Sequence, residues 1–284
     1  MNSYGRRVLT AAIAGLGLAV LATVGARVHA QDGPDPRSGK FSWETRVTKT
    51  AEMLGVPELT GTWVVTKREH PVTARICDSH TDSRKLPRNP CRFDATLLHL
   101  TDRANAWLNW ADERIEGKYY CVPESIPSVL VRAYPVRIEQ SKDSITFEHQ
   151  ITIHNTATRT VAMDGRHHIF EGAIPLYYGD SIGKYEGNDL VVDTTNFTFD
   201  PNGIDYMTNI PSSWRKHVVE RYTRVAPDKV KFVLTFEDPE MMHQPYTETF
   251  EMSKVNYEIT WTHCDLENAD ADLIMMPPKY KDTK

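Results

Sequence analysis

The sequence predicts an all-β protein, an antiparallel barrel or sandwich, and three observations carry that prediction. Segments rich in β-branched and aromatic residues recur along most of the 284-residue chain, and such residues fit a pleated, half-buried surface. One segment alternates strictly, with Ile145, Phe147, His149, Ile151 and Ile153 on one face and Thr146, Glu148, Gln150, Thr152 and His154 on the other. Short turns separate the segments, as at Lys142-Asp143, Ala226-Pro227-Asp228 and Val255-Asn256, and even spacing of this kind means a barrel or sandwich. No repeat of twenty to fifty residues marks a propeller.

Taken in order, the chain opens with Arg6-Arg7, an uncharged run from Val8 to Ala26 and the small-residue site Val28-His29-Ala30. This is the pattern of a signal peptide, removed after residue 30. An uncleaved anchor is the competing reading, because the run approaches the ~20 residues that span a bilayer. Residues 31–56 read as a leader with a short helix over Trp43–Leu54, stopped by Gly55-Val56-Pro57. The β domain follows at 57–264, and 265–284 is a tail. Its strands are expected at Leu59–Thr66, Val129–Gln140 (with Pro135 demoting part of it), Ser144–His154, Thr158–Met163, Leu190–Thr195, His217–Val225, Val230–Asp238, Tyr246–Lys254 and Tyr257–Cys264. Thr101 or Asp102 caps one helix running towards Glu113, with Trp107, Leu108 and Ala111 on its buried face. Phe197 to Trp214 lacks strand patterning and reads as a loop covering a barrel mouth.

The net charge of −5 is modest and both signs are interspersed, so there is no basic stripe for nucleic acid. No later apolar run spans a membrane, so no membrane association is expected once the signal is cleaved. The four cysteines suit an oxidising compartment, periplasmic or secreted. Of three possible pairings, Cys77–Cys91 would close a Pro-rich loop and Cys121–Cys264 would tie the chain's end to its middle. Cys77 and His80 have C-x-x-H spacing, but no second pair matches it and no metal is expected.

Several motifs occur in a fixed order: Cys121-Val122-Pro123, Tyr134-Pro135-Val136-Arg137-Ile138-Glu139-Gln140, Met163-Asp164-Gly165-Arg166-His167, Gly179-Asp180-Ser181-Ile182-Gly183-Lys184-Tyr185-Glu186-Gly187, Leu190-Val191-Val192-Asp193-Thr194, Val219-Glu220-Arg221 and Glu237-Asp238-Pro239. Together they resemble a family of exported, mostly uncharacterised bacterial proteins, over roughly Leu59 to Cys264. That resemblance implies a lipocalin-like (calycin) barrel and no established common activity. Gly61-Thr62-Trp63 likewise resembles the Gly-x-Trp that opens lipocalin-like barrels, where the tryptophan plugs one end. The chain departs from the family at Tyr185, where tryptophan is usual, at His168, where proline is usual, and at Asp265-Leu266-Glu267, where the family has His-Glu-Gly.

The densest chemistry lies between Met163 and Thr194. Asp164, Arg166 and His167 fall within four residues, a spacing that allows a histidine base, a carboxylate that orients it and an anion-stabilising guanidinium. A hairpin turn built on Asp164-Gly165 is the structural alternative. Glu220 is a candidate acid, because Glu220 and Arg221 must point to opposite strand faces and one of them faces inward. His154, His168, Tyr178, Tyr185, His217 and Tyr222 are candidate ligand-lining residues. His149, on the apolar face, reads as a core histidine. Gly179-Asp180-Ser181-Ile182-Gly183 mimics a nucleophile elbow but lacks the helix that motif requires. The leading expectation is a cofactor-free isomerase, cyclase, hydratase or lyase acting on a small, largely apolar or aromatic molecule. A non-catalytic carrier of the same ligand class and a structural envelope protein are the alternatives.

Overall fold

In the computed structural model the alternating strands close on themselves. It describes residues 51–68, 98–111, 113–115, 117–132, 134–152, 155–169, 175–205, 209–260 and 264–269. The strands are β1 (Gly61–Arg68), β2 (Val136–Gln140), β3 (Ser144–Thr152), β4 (Asn155–Ala162), β5 (Asp180–Glu186), β6 (Asp189–Thr195), β7 (Asp200–Asp205), β8 (Ile210–Ser212), β9 (His217–Ala226), β10 (Lys229–Glu237) and β11 (Tyr246–Val255). Nine of them form a closed barrel in the order β1-β11-β10-β9-β6-β5-β4-β3-β2, while β7 and β8 pair apart. Closure leaves the barrel without free sheet edges. The protein is thus mostly β, built on a closed nine-stranded barrel.

Inner and outer residues alternate as the period-2 pattern requires. On β10, Val230, Phe232, Leu234 and Phe236 are buried between exposed or half-buried neighbours. One end is closed by Trp63, fully buried, whose Nε1 donates to the Leu59 carbonyl at 2.7 Å. Gln140 ties the same end: its Oε1 accepts from the Leu59 and Thr60 amides, and its Nε2 donates to the Pro57 carbonyl. At the other end lies helix α1 (Asp102–Trp110), capped by the Thr101 hydroxyl accepting from the Ala104 amide. Trp107 on this helix meets Phe199 edge-on at 5.5 Å. A second helix, α2, is a single turn at Leu266–Ala269 beside Cys264.

Some expectations are corrected. β4 and β5 run parallel, through the single pair Ala162↔Ile182, and residues 163–169 run back from that pair to the level of Asp180, the first residue of β5. Val129–Gln140 is not one strand: Ser128–Val131 is a 3-10 turn and pairing starts at Val136, just after Pro135. Residues 257–260 join no strand. Asp180–Glu186, not among the expected strands, is β5, and Phe197–Trp214 contains the β7–β8 pair at the end opposite Trp63. Cys121 and Cys264, 143 positions apart in sequence, form the expected disulfide. The helix expected over Trp43–Leu54 is described only at 51–54, where it is helical and stopped at Gly55 with φ +65°. The signal peptide, Cys77, Cys91, His154 and the end of the tail lie outside the described residues. Among the described residues, no helix is long and apolar enough to cross a membrane.

Candidate functional site

Contacts between strands that are not neighbours must run through the barrel's interior, and they locate its polar centre. Arg159 on β4 and Glu220 on β9 are separated in the wall by β5 and β6. They meet in a two-point ion pair, Nη1 to Oε1 at 2.5 Å and Nη2 to Oε2 at 2.8 Å, with both side chains at most 3% exposed. The Tyr222 hydroxyl donates to Glu220 Oε2 at 2.6 Å. Ser181 and Thr194 bridge hydroxyl to hydroxyl at 2.9 Å beside the guanidinium. Burial pushes the Tyr222 phenol well above its ordinary pKa, and the adjacent Glu220 carboxylate adds to the rise.

Aromatic rings surround this centre. Phe147 lies under the Arg159 guanidinium at 4.9 Å and 5.4 Å from the Tyr222 ring. Tyr222, Phe232 and Phe250 follow across β9, β10 and β11, stacked at 4.7 and 5.5 Å. A second inward carboxylate, Glu248, pairs with Arg68 at 2.9 Å and accepts from the Tyr246 hydroxyl. His149 is buried, and burial together with the Arg159 charge holds its pKa down to about 3, so the ring is neutral.

A second cluster lies on the outward face. Residues 163–169 run as a strap towards the start of β5, and in extended chain alternate side chains point to opposite sides. Arg166 and His168 therefore both reach Asp180: Arg166 Nη2 at 2.5 Å and His168 Nδ1 at 3.2 Å, with the Ile169 amide donating at 2.7 Å. His168 Nε2 continues to Asp193 Oδ1 at 2.8 Å. His217 bridges Asp193 at 3.1 Å and Glu237 at 3.3 Å. Burial pushes the Asp180 carboxyl up, but the hydrogen bonds from Arg166, Ile169 and His168 outweigh it and hold it at about 2. The hydrogen bond to Asp193 raises His217 above its ordinary value, with Glu237 adding to the effect.

A third polar group sits at the end opposite Trp63. Ser125 donates to Asp200 at 2.7 Å, and Lys216 Nζ donates to the carbonyls of Ile126 and Gly203 at 2.6 and 3.1 Å. Burial lowers the Lys216 pKa to about 8. Ser213 caps Asp238 through its amide and hydroxyl. These bonds fasten the chain before β2 to the β7–β8 pair and to the end of β10.

The expected catalytic residues are divided among these places. Glu220 is in the interior. Arg166 is bound to Asp180 on the outside. Asp164 is exposed and accepts from the Arg166 amide at 3.2 Å, the turn role weighed as the structural alternative. His167 is exposed and its ring has no partner among the described residues; only its carbonyl is used, by Arg166. The odd-numbered place in the strap points it away from Asp180. Tyr222 lines the interior, whereas His168 and His217 belong to the outer cluster. Tyr185 accepts from Gln140 near the Trp63 end. The buried Tyr178 hydroxyl has no hydrogen-bond partner among the described residues, and burial with Asp200 and Glu124 nearby raises its pKa. Arg159 was missed, because Thr158–Met163 shows its alternation only weakly: Thr160 and Arg159 are both polar, yet Arg159 is the inward one.

No family model and no curated protein matches the chain. A solved crystal structure of a point mutant of the fluorescent protein UnaG is similar at 10% identity and a TM-score of 0.29, over 69% of this chain and 96% of that one.

Proposed function

We propose that the protein is a non-catalytic binding barrel whose interior holds a small, largely apolar molecule without net charge. The observation that carries this reading is the Arg159–Glu220–Tyr222 network spanning the interior. A buried ion pair gives little stability over an apolar pair of equal volume. Its position between stacked aromatic rings supports a role in recognition, on the principle that binding sites set a few polar groups in an apolar lining. Charge balance supports a neutral ligand: Arg159 is matched by Glu220 and Arg68 by Glu248, so an ion would enter a low-dielectric space unpaired. The expected base, His167, is exposed and meets no orienting carboxylate among the described residues, which favours binding over catalysis. The cysteine pairing, the signal-like N-terminus and the ordered family motifs support an exported carrier.

Mass spectrometry of small molecules released on denaturing the purified protein tests this reading. A neutral, partly aromatic molecule is expected from the unmodified protein and not from the double variant Arg159→Met/Glu220→Leu. Absence of any such molecule, together with no thermal shift on adding neutral aromatic compounds, would falsify the proposal. Conversion of an added compound to product would restore the enzyme reading.

A further inference from the structure

Among the described residues, two buried polar atoms that are neighbours on the inner face of the barrel have no hydrogen-bond partner: Arg159 Nε and His149 Nε2. Each such atom carries its full desolvation penalty when nothing completes it. They are neighbours by register. His149 stands opposite Ala157 and Phe147 opposite Arg159, so His149 and Arg159 are diagonal on one face of the β3–β4 pair. Phe147 is their common floor, with the guanidinium 4.9 Å over its ring and the imidazole stacked nearly parallel at 6.4 Å. His149 shows only 6% of its surface.

The two atoms differ in what they ask for. Arg159 Nε only donates, while a neutral imidazole has one N–H and one lone pair. With its proton on Nδ1, His149 accepts at Nε2. A matching group therefore offers an acceptor and an N–H side by side. Glu220 already cancels the arginine's charge, so a carboxylate brings an unmatched charge and no hydrogen to donate. An ester brings acceptors alone. We infer that His149 and Arg159 form a specificity edge reading a carboxamide on the ligand, its carbonyl accepting from Arg159 Nε–H and its N–H donating to His149 Nε2. This inference rests on the binding-barrel reading.

Four probes of one shape test it: a primary naphthamide, its N,N-dimethyl derivative, methyl naphthoate and the naphthoate anion, titrated calorimetrically into the full protein. The primary amide should bind at least about tenfold more tightly than the other three, the worth of one buried hydrogen bond. His149→Phe keeps the ring on Phe147 and should bring the primary amide down to the dimethylamide's affinity, leaving the dimethylamide unchanged; a melting curve confirms that the variant folds. On the unmodified protein, the His149 imidazole ¹⁵N resonances should move with the primary amide and not with the dimethylamide. Equal affinity for all four probes, or a preference that survives in His149→Phe, overturns the carboxamide inference and leaves the binding reading standing. Binding of none of the four overturns both.

Discussion

Two clusters built from the same residue types occupy the two sides of the wall formed by β4, β5, β6 and β9. Inside, Arg159, Glu220 and the neutral His149 are sealed from water. Outside, Arg166, Asp180, His168, Asp193, His217 and Glu237 run along the strap and the strand ends, partly in solvent. The residue types are shared, but the medium is not. In the interior each group is either paired or left with its full desolvation cost. On the outside water makes up for any missing partner, and an ion pair adds little. The inner cluster is thus costly to leave incomplete, and the outer one holds a segment of chain in place.

The contrast can be broken from the inside first. Glu220→Ala strands a buried arginine and should cost about 3–5 kcal/mol by chemical denaturation, whereas Arg159→Met/Glu220→Leu should come within about 1 kcal/mol of the unmodified protein. If the single change is as mild as the double, the interior is wetter than described. Asp180→Ala comes next: Asp180 is itself buried but two of its three donors, Arg166 and His168, reach solvent, so the change should cost about 1–2 kcal/mol. Because the Asp180 pKa is depressed to about 2, its contribution is complete above the ordinary carboxylate range and fades as pH falls towards that value. An acid titration of stability in which Asp180→Ala and the unmodified protein converge near that pH checks the sign.

A smaller effect is expected at His217. Its raised pKa means that its contribution is full below about pH 6.5 and is lost as pH climbs through the folded-state value. His217→Asn should therefore differ from the unmodified protein by under about 1 kcal/mol at pH 5 and by nothing at pH 9. The smallest effect is that of His167→Ala, within about 0.5 kcal/mol and with no change in ligand affinity. A loss of binding in that variant would return the strap to the functional site.

How far the sequence led depended on the kind of signal. β3, β6, β9, β10 and β11 were legible to within one or two residues because their alternation reports directly on one wet and one buried face. β5 was not, because Asp180-Ser181-Ile182-Gly183-Lys184 has glycine and acid where strands usually carry bulk. Its Gly183 is needed for packing, since a side chain there would collide with Met163 and Val161. The β7–β8 pair was hidden for a related reason: its polar residues are buried against Ser125, Lys216 and their neighbours, not exposed to water.

Composition, periodicity and turn chemistry by themselves determined an all-β chain, a capped helix from Asp102, and inward-facing Glu220 or Arg221, because each follows from the backbone's local period. The Cys121–Cys264 bond was expected from the sequence as part of one of three possible connectivities, and the fold brings the two cysteines together. The same holds for the stretch from Met163 to Thr194. Its acids, bases and histidines were plain to see, but which of them met depended on the run of residues 163–169 back to the level of Asp180, parallel entry into β5 and the alternation of side chains that follows. That geometry joined Arg166 and His168 to Asp180, turned His167 to solvent, and set the interior chemistry on Arg159, brought across the barrel to Glu220 by closure of the sheet.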